Sequence, residues 1–226
     1  MKHHDFPTYQ LQSNATLVES QAFEVPARIL PLRPYGFAKR AFDCVVSLLL
    51  LPLFAICCLV LKLLNRGPNA GPLFYVQLRM GQDCKAFRAI KFRSMKCADR
   101  ITRGADDPLE LDRITPLGRF LRKARIDEIP QIINVLRGEM SLIGPRPDYY
   151  KHARVYLKTI PGYRERHAVR PGISGYAQTE VGYVQGLEAT RAKVRADLHY
   201  IAHQNFWLDT WLVWRTVSIV LGRRGA

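Results

Sequence analysis

Cys44-Val45-Val46-Ser47-Leu48-Leu49-Leu50-Leu51-Pro52-Leu53-Phe54-Ala55-Ile56-Cys57-Cys58-Leu59-Val60-Leu61 is a run of 18 residues without a single charge. That length reaches the lower end of what crosses a bilayer, about 17–25 residues. Pro52 interrupts it, because proline lacks the amide donor an α-helix needs and its ring collides with the preceding turn. Basic residues stand on both sides, Lys39 and Arg40 before the run and Lys62 and Arg66 after it. Basic flanks favour the cytoplasmic side, so charge at both ends argues that both ends stay there. Each arm beside Pro52 is about 14 Å long at the helical rise, enough to enter one leaflet and turn back. The expectation is a re-entrant membrane helix over residues 39–66. A kinked single span and a buried core helix are the alternatives, and the second has no comparable apolar helix to cover it.

Residues 1–38 carry Pro7, Pro26, Pro31 and Pro34 without hydrophobic period and read as a flexible tail, with a short helix around Leu17 to Phe23. Residues 67–226 read as a cytoplasmic or interfacial domain. Within it, Phe74 to Arg79 and Ala86 to Arg93 flank a polar Gly81-Gln82-Asp83 turn and form a β-hairpin. Alternation puts Lys91 and Arg93 on one face, a pair suited to clamp a phosphate or to protect a strand edge. Leu117 to Arg125 is a basic helical piece. Ile129, Ile132, Ile133 and Leu136 mark a second helix starting near Asp127, where the helix dipole would keep a carboxylate ionised. Leu187, Val194, Leu198 and Ile201 mark a third helix, with Arg191, Lys193 and Arg195 on its other faces. Phe206 to Leu221 forms a fourth, with Trp207, Trp211 and Trp214 at i, i+4 and i+7 and a basic end at Arg223-Arg224. Tryptophans on one face beside cations suit a membrane interface; packing on the protein's own core is the alternative. The fold class expected is a small membrane-embedded α/β domain.

Of 226 residues 48% are hydrophobic, which excludes disorder throughout, and the net charge of +15 requires an anionic partner. The first 38 residues are charge-neutral, so the excess lies in the body. Nucleic acid, an anionic bilayer and a phosphorylated substrate are the candidate partners, and the apolar run argues against nucleic acid. Five cysteines without a C-x-x-C pair argue against a disulfide framework or a zinc site and for a reducing compartment. No cleavable secretion signal is evident after Met1-Lys2-His3-His4-Asp5. Walker, dinucleotide-binding, zincin and nucleophile-elbow motifs are all missing. What stands out is the acidic pair Asp127-Glu128 between two basic stretches. Ionised acid among cations suits phosphoryl transfer, where cations neutralise a diphosphate and a carboxylate attacks phosphorus or holds a divalent metal; an ordinary acidic helix cap is the alternative.

Six blocks occur in order: Lys39-Arg40-Ala41-Phe42-Asp43, Lys91-Phe92-Arg93-Ser94-Met95, Asp127-Glu128-Ile129-Pro130-Gln131, Asn134-Val135-Leu136-Arg137-Gly138-Glu139-Met140-Ser141, Gly144-Pro145-Arg146-Pro147 and Arg170-Pro171-Gly172-Ile173-Ser174-Gly175. Together they resemble the bacterial sugar transferase family, the monotopic phosphoglycosyl transferases that begin exopolysaccharide and O-antigen-type glycan assembly. The resemblance covers about residues 35–222. It implies that a sugar 1-phosphate moves from a UDP-sugar to undecaprenyl phosphate with release of UMP, at the cytoplasmic face of the bacterial inner membrane among anionic lipids. It implies that Asp127 is the nucleophile that forms an aspartyl-phosphosugar intermediate, and a ligand of an assisting Mg2+. Glu128 takes an acid/base or metal-supporting position. Lys91, Arg93, Arg122, Arg146 and Arg170 fall in or beside family motifs and would bind the phosphates.

The sequence also departs from the family. Leu51 precedes Pro52 where Ser is common, and the arm from Asp43 to Pro52 is about one turn shorter than usual. Ser174 and Tyr176 stand where Thr and Trp are usual. Larger relatives carry extra membrane helices upstream, so the resemblance implies a minimal catalytic form. Homo-oligomerisation and the identity of the sugar stay open. The competing reading from another class is a non-catalytic basic scaffold at the membrane surface, in which the acidic pair only caps a helix. Re-entrant insertion predicts that single cysteines near Arg33 and Asn69, in a background without the native cysteines, escape a thiol reagent confined to the outside of intact cells. Labelling of either one would establish a spanning topology.

Overall fold

The computed structural model describes residues 33–96, 111–181 and 187–222. The expected helix near Leu17 and the terminal Arg223-Arg224 lie outside the described residues. The first helix, α1, runs over Arg33–Leu49 and the second, α2, over Leu51–Leu64. α1 thus begins ahead of the expected boundary at residue 39, and Pro34 falls in its first turn, where a missing amide donor costs nothing. The proline acts as expected at the break: it sits in the first turn of α2, and the two axes bend by 42° at Leu50. The bend is shallower than a hairpin that doubles back. No single described helix is long and apolar enough to cross a membrane, but the bent pair passes that test together.

One face of the pair is exposed and apolar, including Val45, Leu49, Ile56, Leu59 and Leu63. The other is fastened to the body. Lys39 forms an ion pair with Asp209, whose carboxylate also accepts from Tyr35 Oη at 2.6 Å and Tyr200 Oη at 2.7 Å. Arg40 donates to Val135 O at 2.6 Å and Leu136 O at 3.2 Å, and Asp43 Oδ1 accepts from Leu142 N at 3.1 Å. Lys39 and Arg40, the basic residues that precede the apolar run, also serve as internal fasteners, because each finds a buried acceptor within reach.

Strands β1 (Phe74–Met80) and β2 (Ala86–Phe92) form the expected antiparallel hairpin, with Tyr75 opposite Lys91 and Arg79 opposite Phe87. Alternation along β2 buries Phe87 and Ala89 in the main core, while Phe92, on the opposite face, is buried in a separate cluster. Helix α3 (Pro116–Lys123) starts where Thr115 Oγ1 accepts from Gly118 N at 2.9 Å and Pro116 occupies its first turn. Gly118 lies so close to Ser94 that a β-carbon would meet its carbonyl oxygen at 1.8 Å, so only glycine allows α3 to approach the segment after β2 this tightly. Helix α4 (Gln131–Leu136) follows. A short parallel pair, β3 (Ser141–Ile143) with β4 (Gly172–Ser174), places Ser141 opposite Gly172. Helix α5 (Tyr150–Thr159) connects them. Helices α6 (Leu187–His203) and α7 (Phe206–Leu221) close the core through Val194, Leu198, Ile201 and Leu212. On α7 the tryptophans face away from that core, Trp207 at 78% and Trp214 at 68% exposure, with Trp211 at 39% under the Arg215 guanidinium.

A second, smaller cluster joins α2 to the body: Leu61, Phe92 and Leu121 with Phe54, Cys57, Ile126 and Ile129. Phe54, Phe74 and Phe92 form a three-ring cluster, with centroid distances of 5.9 Å for Phe54–Phe92, 5.5 Å for Phe74–Phe92 and 6.2 Å for Phe54–Phe74. Between the two clusters Asn134, fully buried, stitches α4 to β2. Its Nδ2 donates to Arg88 O and to Glu139 Oε2, both at 2.7 Å, and its Oδ1 accepts from Ile90 N at 3.0 Å. Asn134→Ala leaves the Ile90 amide and the Arg88 carbonyl without that partner. At about 1–3 kcal/mol for each unmet buried group, the variant is expected to lose at least about 2 kcal/mol in detergent-solubilised unfolding. A loss within error of zero would show that water replaces the side chain freely.

Candidate active site

After α3 the chain reverses at Arg125, whose φ of 56° lies in the left-handed region that non-glycine residues seldom adopt. It then makes a single 3-10 turn, Ile126–Glu128, before α4. The acidic pair is therefore not the N-cap of α4; Pro130 holds that position without a side-chain cap. The turn directs Ile126 and Ile129 toward α2 and leaves Asp127 and Glu128 at 7% and 5% exposure.

Glu128 is the hub. Its carboxylate accepts from Lys91 Nζ at 2.7 Å, from Arg146 Nη2 at 2.5 Å and Nη1 at 3.3 Å, and from Arg125 Nη1 at 3.4 Å. The three cations come from β2, from the left-handed turn and from the Gly144–Pro147 turn. Burial alone would push the Glu128 pKa up, but Arg146 and Lys91 outweigh it and hold the carboxyl well below its usual range. Lys91 is pushed down to about 8, first by burial and then by Arg146 and Arg79, against the pull of Glu128.

Asp127 differs. Among the described residues it accepts no hydrogen bond and forms no ion pair, and burial raises its pKa above the ordinary carboxylate value. Lys91, Arg146 and Arg122 pull against that rise, and Glu128 adds to it. The helix start expected near Asp127 lies instead at Gln131, and burial, not a helix dipole, is the largest influence on this carboxyl, making it more basic. Arg122, on the last turn of α3, is close enough for its charge to act on it. The result is an unengaged carboxylate beside one spent carboxylate and four cations.

Three of the five cations expected at phosphate, Lys91, Arg122 and Arg146, are brought together here. Arg93 is not: β2 ends at Phe92, and the Arg93 guanidinium turns to the loop after α2, donating to Pro72 O at 2.7 Å, Asn65 Oδ1 at 2.8 Å and Asn69 O. The expected Lys91–Arg93 clamp therefore does not form. Arg170 likewise donates to Gly138 O at 2.9 Å and braces the end of α4. Arg125 was hidden in a basic helical stretch, and only the helix-breaking run toward Pro130 hinted that it turns back.

A buried carboxylate that accepts no hydrogen bond among the described residues, set in a cationic cluster, has the chemistry to attack an electrophilic phosphorus while the cations neutralise phosphate charge. Residues 34–223 match the bacterial sugar transferase family, and the chain belongs to it. It is 41% identical over 199 residues to the UDP-N-acetylgalactosamine-undecaprenyl-phosphate N-acetylgalactosaminephosphotransferase of Aeromonas hydrophila, covering 88% of this chain and 47% of that protein. It is 38% identical over 204 residues to the UDP-glucose:undecaprenyl-phosphate glucose-1-phosphate transferase of Caulobacter vibrioides, covering 86% and 76%. It is 36% identical over 195 residues to exopolysaccharide production protein PSS of Rhizobium leguminosarum bv. phaseoli, covering 82% and 96%. The chain thus spans about half of the first relative and nearly all of the third.

The two acids predict stability changes of opposite sign. A carboxyl held below its unfolded pKa stabilises the fold above that pKa, and the gain is lost as pH falls through the depressed value; this is Glu128. A carboxyl raised above its unfolded pKa costs stability as pH rises from the ordinary value through the raised one; this is Asp127. At neutral pH Glu128→Gln is expected to lose about 3–5 kcal/mol, because three cations lose their buried counter-charge. Asp127→Asn is expected to unfold at a higher temperature than the parent. Thermal melts at neutral pH decide it, and a destabilised Asp127→Asn would contradict the desolvation of that side chain.

Proposed function

We propose that this protein transfers a sugar 1-phosphate from a UDP-sugar to undecaprenyl phosphate, releasing UMP, as the opening step of exopolysaccharide or O-antigen-type glycan assembly. The observation that carries the reading is Asp127: buried, without a hydrogen-bond partner among the described residues, ringed by cations and set in a turn whose flanking isoleucines pack against the apolar α2. Relatives named for transfer from UDP-N-acetylgalactosamine and UDP-glucose to undecaprenyl phosphate support the donor and acceptor classes.

In this mechanism a carboxylate oxygen of Asp127 attacks the phosphorus that bears the sugar. The bond from that phosphorus to the bridging oxygen breaks, and UMP leaves with the electron pair. An oxygen of undecaprenyl phosphate then attacks the same phosphorus and frees the Asp127 carboxylate. Burial makes Asp127 more basic, hence a better nucleophile while it stays ionised. Lys91, Arg122, Arg125 and Arg146 offset the charge on the diphosphate and then on the prenyl phosphate. Glu128, with its pKa held low, is a weak base. It serves instead as the counter-ion that keeps these cations in position.

The residues fit one form of magnesium binding. Among the described residues no group of three His, Cys, Asp or Glu converges on a metal position, and the Glu128 carboxylate is taken up by cations. Asp127 would be the chain's ligand, with the donor's own phosphates supplying the rest, a pattern Mg2+ commonly adopts. When bound, the ion supplies further neutralisation of the diphosphate. The acceptor's phosphate lies at headgroup level. The bent α1–α2 pair entering the cytoplasmic leaflet, with the α7 tryptophans at the interface among anionic lipids, would hold Asp127 at that height.

The test mixes purified protein, Mg2+, a panel of UDP-sugars and undecaprenyl phosphate and follows UMP. Release is expected with at least one donor, is expected to stop on chelation, and is expected to fall on the order of 10⁴-fold or more in Asp127→Asn. Retained turnover in that variant, or a labelled sugar-phosphate adduct mapped to another residue, would remove the nucleophile assignment.

A further inference from the structure

Away from the Asp127 cluster lies a second set of buried charges. Arg166 is fully buried. It donates from Nε to Asp197 Oδ2 at 2.8 Å, from Nη1 to Asp148 Oδ2 at 2.6 Å, and from Nη2 to the main-chain oxygen of Arg146 at 2.9 Å. Lys193 Nζ donates to Asp148 Oδ1 at 2.6 Å, and Tyr163 Oη to Asp148 Oδ2 at 2.7 Å. Two cations face two carboxylates here, so the set balances its own charge and adds little net field to the acidic pair. What it offers the site is geometry.

The Gly144–Pro147 turn shows why geometry is needed. Pro145 and Pro147 have no amide hydrogen, so the turn has few donors to organise itself, and its path is set by outside groups that seize its carbonyls. Gly172 N donates to Pro145 O at 3.0 Å, Arg166 to Arg146 O, Arg79 to Pro147 O, and Met80 N to Asp148 O at 3.1 Å. Of these holds, the one on Arg146 itself comes from Arg166. The side chain of the same Arg146 forks onto Glu128 at 2.5 and 3.3 Å. We infer that Arg166, braced by Asp197 and Asp148, is a positioning residue that fixes the Arg146 main chain so that its guanidinium stays on Glu128 and faces the phosphates. This rests on the proposed transfer reaction for its kinetic consequence, though not for its geometry. The planar fork matters: three acceptors in three directions need a guanidinium, and a lysine ammonium on a flexible stem cannot span them.

The experiment compares Arg166→Lys, Arg146→Lys and the double variant in full-length protein in lipid nanodiscs, with Asp197→Asn as a milder second perturbation. With a UDP-sugar that the parent accepts, Arg166→Lys is expected to slow UMP release about 10- to 100-fold, the scale on which a displacement of about 1 Å acts. Asp197→Asn is expected to slow it less and in the same direction. Because Arg166 acts through Arg146, the double variant is expected to be no slower than Arg146→Lys alone. Losses that multiply would assign Arg166 a separate, purely structural role and overturn the inference. A structure of Arg166→Lys supplies the readout that needs no turnover: Arg146 leaving Glu128 sustains the inference, and an intact fork overturns it. Should the parent release no UMP with any donor, the transferase reading fails by itself, and the structural comparison still decides the role of Arg166.

Discussion

One buried carboxylate with too many partners organises this protein. Glu128 draws Lys91 from the hairpin, Arg125 from the reversal after α3 and Arg146 from the proline turn onto two oxygen atoms. Those three segments share no secondary structure with one another, so their convergence depends on that charge. Taking an ion out of water costs several kcal/mol unless it is closely paired, so the arrangement persists only while all members stay in place. Asp127 inherits its character from this neighbour. The cations hold Glu128 well below its usual range, while burial raises Asp127, which accepts no hydrogen bond among the described residues.

Much of this was legible from the residues. The hairpin followed from alternation about a polar turn, the helix break from Pro52, and the acidic pair and Arg146 from motifs in order. Side-chain direction was not. Lys91 and Arg93 share a face in an ideal strand, yet β2 stops at Phe92, and one residue beyond a strand end the alternation rule no longer aims a side chain. Arg93 met the carbonyls of the loop after α2 instead. Lys39 and Arg40 looked like cations flanking an apolar run because nothing local reveals that Asp209, some 170 positions later, and the last carbonyls of α4 are their partners.

The parallel β3–β4 pair leaves no periodic signal in the sequence because each strand has three residues, too few to show a period. The network of Asp148, Arg166, Lys193 and Asp197 is hidden for a related reason: its members are scattered over three segments. One signal was available. Asp197 lies between Ala196 and Leu198 on a helix whose Val194, Leu198 and Ile201 are buried, and an acid that folds to 1% exposure demands a buried cation. Lys193, read as facing away, answers part of that demand through Asp148.

The double attachment of the bent helix pair has a mechanical corollary. Lys39, Arg40 and Asp43 bolt α1 at one end, and Phe54 and Leu61 seat α2 against Ile126 and the β2–α3 cluster at the other. The stretch between the bolts must therefore keep helical phase. Each added residue would rotate the remainder of the pair by about 100°, swinging the greasy outer face of α2 onto the protein and its seat into solvent. Change in the length of this arm is tolerable only in steps close to a whole turn, about 5.4 Å each. Among related proteins the arm should thus come in a few discrete sizes, each setting its own reach of the bent helix pair away from the body.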